Sequence, residues 1–127
     1  MFKELKDVFT NVLNLANNRR TYYEQHGFEG KDVEKKRLEL VAYLNELDYE
    51  VIKTIQVIMY LGRDEDYDGY DIPEEIYRKQ RKYFDSLGWN NKVIEINQIA
   101  EKMPLDMYLT NGFKILNIRL YNNSTVN

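Results

Sequence analysis

The stretch from Val51 to Gly62, VIKTIQVIMYLG, leaves the fewest options for folding. Val51, Ile52, Ile55, Ile58 and Met59 recur at helical spacing, and Val57, Tyr60 and Leu61 fill other faces toward the carboxyl end. A helix that is apolar nearly all round stays out of water only when neighbours wrap it, so this segment predicts the central helix of a helical fold. Asn45 or Asp48 can cap its start. Gly62 is the residue expected to stop it, because a left-handed backbone suits glycine.

The flanking sequence supplies the wrapping helices. Phe2, Leu5, Val8, Phe9, Val12, Leu13 and Ala16 predict a first helix over residues 1–25, with His26 and Gly27 as its latest stop. GFEGKD then breaks the pattern but is too short to separate two cores. A second helix begins near Asp32 and presents Leu38, Val41, Ala42 and Leu44 on one face. Pro73 fits the first turn of a fourth helix, with Asp71 as its cap and Glu74 and Glu75 at the positive end of the dipole. Its face is Ile76, Tyr77, Gln80, Tyr83, Phe84 and Leu87. Gly88 ends it, and Trp89 falls where a Schellman motif sets an apolar residue back against Phe84. Asn90 or Asn91 caps a fifth helix, with Val93, Ile96, Ile99, Ala100 and Met103 inward. Pro104 opens a short sixth, which Gly112 closes. The tail, residues 113–127, alternates through Phe113, Ile115 and Ile118 and is expected as a strand or an extra turn, frayed at its polar end. The fold class is all-α: one compact domain of five to six helices, with residues 32–112 as its core. A chain of 127 residues is long enough to bury such a core without disulfides or metal.

The run LNELDYEVIKTIQVIMYLGRD, followed by MPLDMYLTNG, resembles a bacterial family of short helical proteins catalogued as a domain of unknown function. The residues that carry the resemblance are Leu44, Asn45, Met59, Tyr60, Leu61, Gly62, Arg63, Pro104, Leu105, Tyr108, Leu109 and Gly112. It covers roughly residues 38–112. The chain departs from the family pattern directly after Arg63, where a second glycine and then a tryptophan usually follow and Asp64 opens an acidic insertion. The resemblance implies the helical architecture and carries no activity or site residue.

Composition removes most chemistries. A net charge of −3 is too small to give the whole surface a field, so a general nucleic-acid binder is not implied. The chain has no cysteine, which excludes disulfides, thiolate metal sites and cysteine nucleophiles. With no apolar run for a signal peptide or membrane span, the expected location is cytoplasmic. The sequons at Asn122 and Asn123 therefore carry no weight. His26 is the only histidine, and Ser86 and Ser124 are the only serines, leaving almost no material for a triad. No glycine-rich phosphate loop occurs. An enzyme relying on carboxylates alone is the least favoured reading.

One segment stands out against this background. Residues 64–75, DEDYDGYDIPEE, hold seven acids. Asp64, Asp66 and Asp68 at positions one, three and five, Gly69 at six and Glu75 at twelve reproduce the EF-hand pattern, with the Tyr70 carbonyl at seven. Three features oppose a Ca2+ site: Asp71 where an aliphatic residue is usual, Pro73 at ten, and an entering helix stopped by Gly62. EF-hands also work in pairs, and no second loop matches. Tyr67 and Tyr70 among the acids favour a protein interface instead, since tyrosine joins rigid contact area to a polar tip. The leading expectation is a non-enzymatic protein-binding module, an adaptor or inhibitor, that presents Asp64, Glu65, Asp66, Tyr67, Asp68, Tyr70 and Asp71 to a basic partner surface. A Ca2+-binding helical module is the alternative. Arg78, Lys79, Arg81 and Lys82 form a basic stretch open to phosphate, although a solvated helix face explains it as well.

Overall fold

The computed structural model describes residues 1–27 and 31–120. A 3-10 turn at Lys3–Leu5 leads into α1 (Lys6–His26), followed by α2 (Lys31–Asn45), α3 (Tyr49–Asp64), α4 (Pro73–Leu87), α5 (Lys92–Glu101) and α6 (Leu105–Ile115). There is no strand among the described residues. Helix α3 is the centre: it packs on α4, α5 and α6, while α1 packs on α2 and α6 and α2 also meets α5. Ile52, Ile55, Val57, Ile58, Met59 and Leu61 are essentially inaccessible, as the all-round apolar pattern requires. They join Phe9, Val12, Leu40, Leu44, Ile96, Ile99, Leu105 and Leu109 in the buried core, though Val57 stands outside the main cluster.

Two glycines set how closely the centre is packed. Gly62 does not stop α3; it lies inside it, where α6 crosses. A Cβ built there would overlap the Tyr108 carbonyl oxygen and sit 2.6 Å from the Gly112 backbone nitrogen. Gly112 likewise does not close α6, and a Cβ there would overlap the Ile58 carbonyl oxygen and come within 2.8 Å of Ile58 Cγ2. Each glycine thus makes room for the other helix's backbone. The actual stop of α3 is Glu65, in the left-handed region at φ 54°. Asn111 of α6 reaches across to it, donating to the Gly62 carbonyl and to Glu65 Oε2, both at 2.7 Å.

Several sequence expectations need correcting, each because a neighbour decides the facing. In α2 the buried residues are Leu40 and Leu44, whereas Leu38 is 51% exposed and Ala42 faces out. As expected, α2 begins near Asp32, at Lys31; Asp32, which could have capped the helix from outside, instead sits in its first turn and accepts the Tyr22 hydroxyl at 2.9 Å. Asp71 does not cap α4; Ile72 holds that position without a side-chain bond. Only Ile76 of α4 is buried, Tyr77 and Phe84 are half-buried, and Tyr83 and Leu87 are exposed. Val93 of α5 also faces solvent. Phe113 and Ile115 belong to α6, after which Ile118 and Leu120 lie buried without regular structure. The expected fraying at residues 121–127 and the loop at 28–30 lie outside the described residues.

Local signals fared better. Asn91 caps α5, accepting from the Ile94 amide at 2.9 Å. Gly88, at φ 89°, ends α4 and returns Trp89 to Phe84, with ring centroids 6.1 Å apart. His26 is the last residue of α1 and stacks near Tyr22.

Candidate functional site

The connection between α3 and α4 is short and held at both ends. The Asp68 carboxylate accepts from the Tyr70 amide at 2.9 Å, and the Asp71 amide bonds the Asp68 carbonyl at 3.0 Å, making a closed turn. Gly69 takes part without a left-handed backbone, and a Cβ there would meet nothing. Gln80 of α4 donates to the Asp66 carbonyl. This order presents apolar surface to water: Tyr70 is 100% exposed, Ile72 62% and Tyr67 40%. Tyr77, in contrast, is part of the core edge, its ring against Phe2 at 4.9 Å and its hydroxyl 3.3 Å from Thr54.

The acids are less free than their number suggests. Asp64 pairs with Arg63 at 2.8 Å, Asp71 with Lys79 at 2.7 Å and Glu75 with Arg78 at 2.6 Å. The Arg78 hydrogen bond holds the Glu75 carboxyl below its ordinary range. Glu65 is taken by Asn111. Asp66, Asp68 and Glu74 have no basic partner among the described residues. In the calcium frame, α3 does run through Asp64 and α4 does begin at Pro73, so the entering helix is not cut short at Gly62. Among the described residues, however, no three acidic or histidine side chains come together as a metal cage. The carboxylates of Asp64, Asp66, Asp68 and Glu75 share the loop without converging.

Beside the loop lies a cleft of about 420 Å³ that the sequence did not reveal, between the end of α3 and the face of α4. Tyr60, Leu61, Tyr83 and Phe84 form its apolar part; Asp64, Asp66 and Gln80 form its polar part. Tyr60 and Phe84 stack at 5.3 Å, and the Arg63 guanidinium lies 4.7 Å over Tyr60. Tyr60 lies on α3 and Phe84 on α4, so only the packing of the two helices reveals the pairing.

The basic stretch of α4 is divided by the fold. Arg78 and Lys79 are the partners of Glu75 and Asp71. Arg81 turns inward, bonding Tyr77, Glu50 and Asp85. Burial opposes its charge, but those three bonds outweigh burial and raise its pKa. Asp85 also accepts from the Trp89 indole at 2.7 Å, which with Arg81 lowers its pKa. This network fastens α4 to α3 at Glu50. Of the four cations only Lys82 lacks an ion pair among the described residues, and Arg81 points away from the other three.

No helix among the described residues is long and apolar enough to cross a membrane. Comparison with protein-family models, with curated proteins and with solved structures finds no match.

Proposed function

We propose that this chain is a protein-binding module whose contact surface is the α3–α4 connection, and that its partner presents basic side chains around an apolar recess. The observation that carries this reading is the full exposure of Tyr70 on a hydrogen-bonded turn. A tyrosine and an isoleucine held in water by fixed backbone contacts are preorganised contact area, so little ordering cost remains on binding. Asp66 and Asp68 supply the field that steers a basic partner. The neighbouring cleft, lined by Tyr83 and Phe84 and by Asp64 and Asp66, would accept a cationic side chain.

Affinity capture at low and high salt tests this, run with wild type, Tyr70→Ala and an Asp66→Asn, Asp68→Asn variant. Partners held by wild type should be lost from Tyr70→Ala and weakened in the second variant. Identical partners on all three would remove the connection from the interface.

A Ca2+-responsive module is the second reading, favoured by the helix–loop–helix frame at 64–75. It requires Asp64 and Glu75 to leave Arg63 and Arg78 and to turn inward together. Calorimetry with Ca2+ on wild type and on Asp64→Ala, Asp66→Ala measures this directly, and an absence of heat with wild type ends it.

A further inference from the structure

On the other side of the molecule, Arg19 occupies a position where an apolar residue would be expected. Phe9, Val12, Ala16 and Arg19 follow one another at spacings of three or four, and all four are buried on the inner face of α1. Arg19 is only 4% exposed. Its terminal nitrogens donate to the Ala100 and Lys102 carbonyls at the end of α5, where the helix dipole is negative. Among the described residues its Nε has no hydrogen-bond partner, and no carboxylate forms an ion pair with it. The carboxylate that might have done so, Asp106, is engaged by Arg20 and Asn17. A buried guanidinium without a paired carboxylate is costly: burial lowers the Arg19 pKa, and the nearby Asp106 charge offsets this only in part.

This charge lines an open cavity of about 380 Å³ between α1, α2 and the end of α5. A second guanidinium, Arg37 of α2, lines the same cavity, as do the carboxylates of Glu34 and of Glu101, the latter paired with Lys102 at 3.4 Å and largely in solvent, with Tyr23, Val33 and Met103 supplying aromatic and apolar wall. Arg37 is held by Glu34 at 2.6 Å, an i,i+3 pair in which Glu34 is 55% exposed. An exposed pair of that kind is worth little and is readily exchanged for another anion. The α5 carbonyls take the terminal nitrogens of Arg19 and leave its Nε without a partner among the described residues.

We infer that the cavity lined by Arg19 and Arg37 is a binding site for a small organic oxyanion. Its phosphate or carboxylate head takes the place of Glu34 on Arg37 and compensates Arg19, and its apolar body rests on Val33, Met103 and Tyr23. The Arg37 guanidinium gives the directed, charge-assisted bonds that such a head needs, and Arg19 adds its positive charge behind it. The volume suits a small metabolite and is too small for a folded partner.

The test is a titration followed by backbone amide and arginine Nε–H NMR signals at low salt, with phenyl phosphate, phenylacetate and inorganic phosphate as probes. Phenyl phosphate and phenylacetate distinguish the two heads, and inorganic phosphate isolates the apolar body's share. Saturable shifts confined to Arg19, residues 33–37 and residues 100–103 are expected with at least one organic probe, which binds more tightly than inorganic phosphate. Arg37→Gln should weaken that probe about tenfold or more, as loss of a charge-assisted bidentate bond does. Glu34→Gln should tighten it, because the competing carboxylate is gone; a merely structural Arg37–Glu34 pair would not do this. No saturable shift at these residues, shifts scattered over the surface lysines, or unchanged affinity in Glu34→Gln overturns the site.

Discussion

The closest approach in the fold makes the sharpest quantitative prediction. Replacing Gly62 with alanine adds one methyl at the α3–α6 crossing, where it would overlap the Tyr108 carbonyl oxygen and stand 2.6 Å from Gly112 N. Real side-chain carbons essentially never come within 3.0 Å of such atoms. The obstructing groups are backbone on a packed helix, so no side chain can swing aside and the two helices must part, by on the order of 1 Å. A gap of that size forfeits roughly a quarter to a half of the dispersion attraction across the seam. The seam is formed by Ile55, Ile58, Leu105 and Leu109, each at most 1% exposed. Overpacking of this kind costs about 3 kcal/mol at the upper end of the usual range. Alanine returns about 1 kcal/mol through its better helix propensity. The net loss is therefore about 2 kcal/mol or more, a large part of the stability of a chain this size. Urea unfolding followed by far-UV circular dichroism should show the midpoint falling by about 1 M. Gly69→Ala is the control, since a Cβ there meets nothing, and it should leave the midpoint essentially unchanged. A Gly62→Ala protein as stable as wild type or more so would refute the close crossing, since propensity alone would raise stability by about 1 kcal/mol.

Three further outcomes follow from particular contacts. Gly112→Ala should destabilise comparably, and its combination with Gly62→Ala should cost less than the two summed, because one separation of the helices relieves both clashes. Asn91→Ala removes the bond to the Ile94 amide and should cost about 1 kcal/mol in the same urea assay. The Glu50–Arg81–Asp85–Trp89 network should respond to acid. Arg81, then Lys53, lowers the pKa of Glu50; the Trp89 indole, then Arg81, lowers that of Asp85. Their stabilisation is thus fully present above the ordinary carboxylate range and is lost as pH falls through the depressed folded values. Emission from Trp89, the only tryptophan, should therefore titrate below the ordinary aspartate value of about 3.9. Arg81→Gln should move that midpoint upward, and an unchanged midpoint would remove Arg81 from the network.

What could be read from sequence was what is decided within a few residues. The α3 stripe, the Pro73 start, the Asn91 cap and the return of Trp89 to Phe84 across Gly88 all depend on local periodicity or a local turn. Gly62 and Gly112 were misassigned because a glycine near a helix end looks alike whether it ends the helix or admits another one. Only α6 lying across α3 distinguishes the two. In α2 two stripes were available, Leu38 with Ala42 or Leu40 with Leu44, and the positions of α1 and α5 chose the second. Arg19 does leave a signal in the sequence, a cation in phase with Phe9, Val12 and Ala16. The acidic connection was visible by composition, but its pairing with Lys79 and Asn111 depends on where α4 and α6 lie.

That pairing changes what kind of binding the connection can support. Residues 64–75 contain seven acids, yet Arg63, Lys79 and Arg78 each neutralise one of them. The remaining field acts over a Debye length of about 8 Å at physiological salt, enough to steer an approaching basic partner and little more. Steering of this kind raises the association rate and its salt dependence, while residence depends on buried contact. Tyr70, wholly exposed, is the largest contact area the connection can bury. In the proposed complex, Tyr70→Ala should cost about 2 kcal/mol or more, roughly 30-fold in affinity, as central aromatic contacts do. That loss should fall on the dissociation rate. Asp66→Asn with Asp68→Asn should instead slow association and flatten its salt dependence, leaving dissociation nearly unchanged. Surface plasmon resonance against the captured partner separates the two rates. If the aspartate variant dissociates fast and Tyr70→Ala does not, the partner is held by charge, and Tyr70 is exposed for a reason unconnected with that interface.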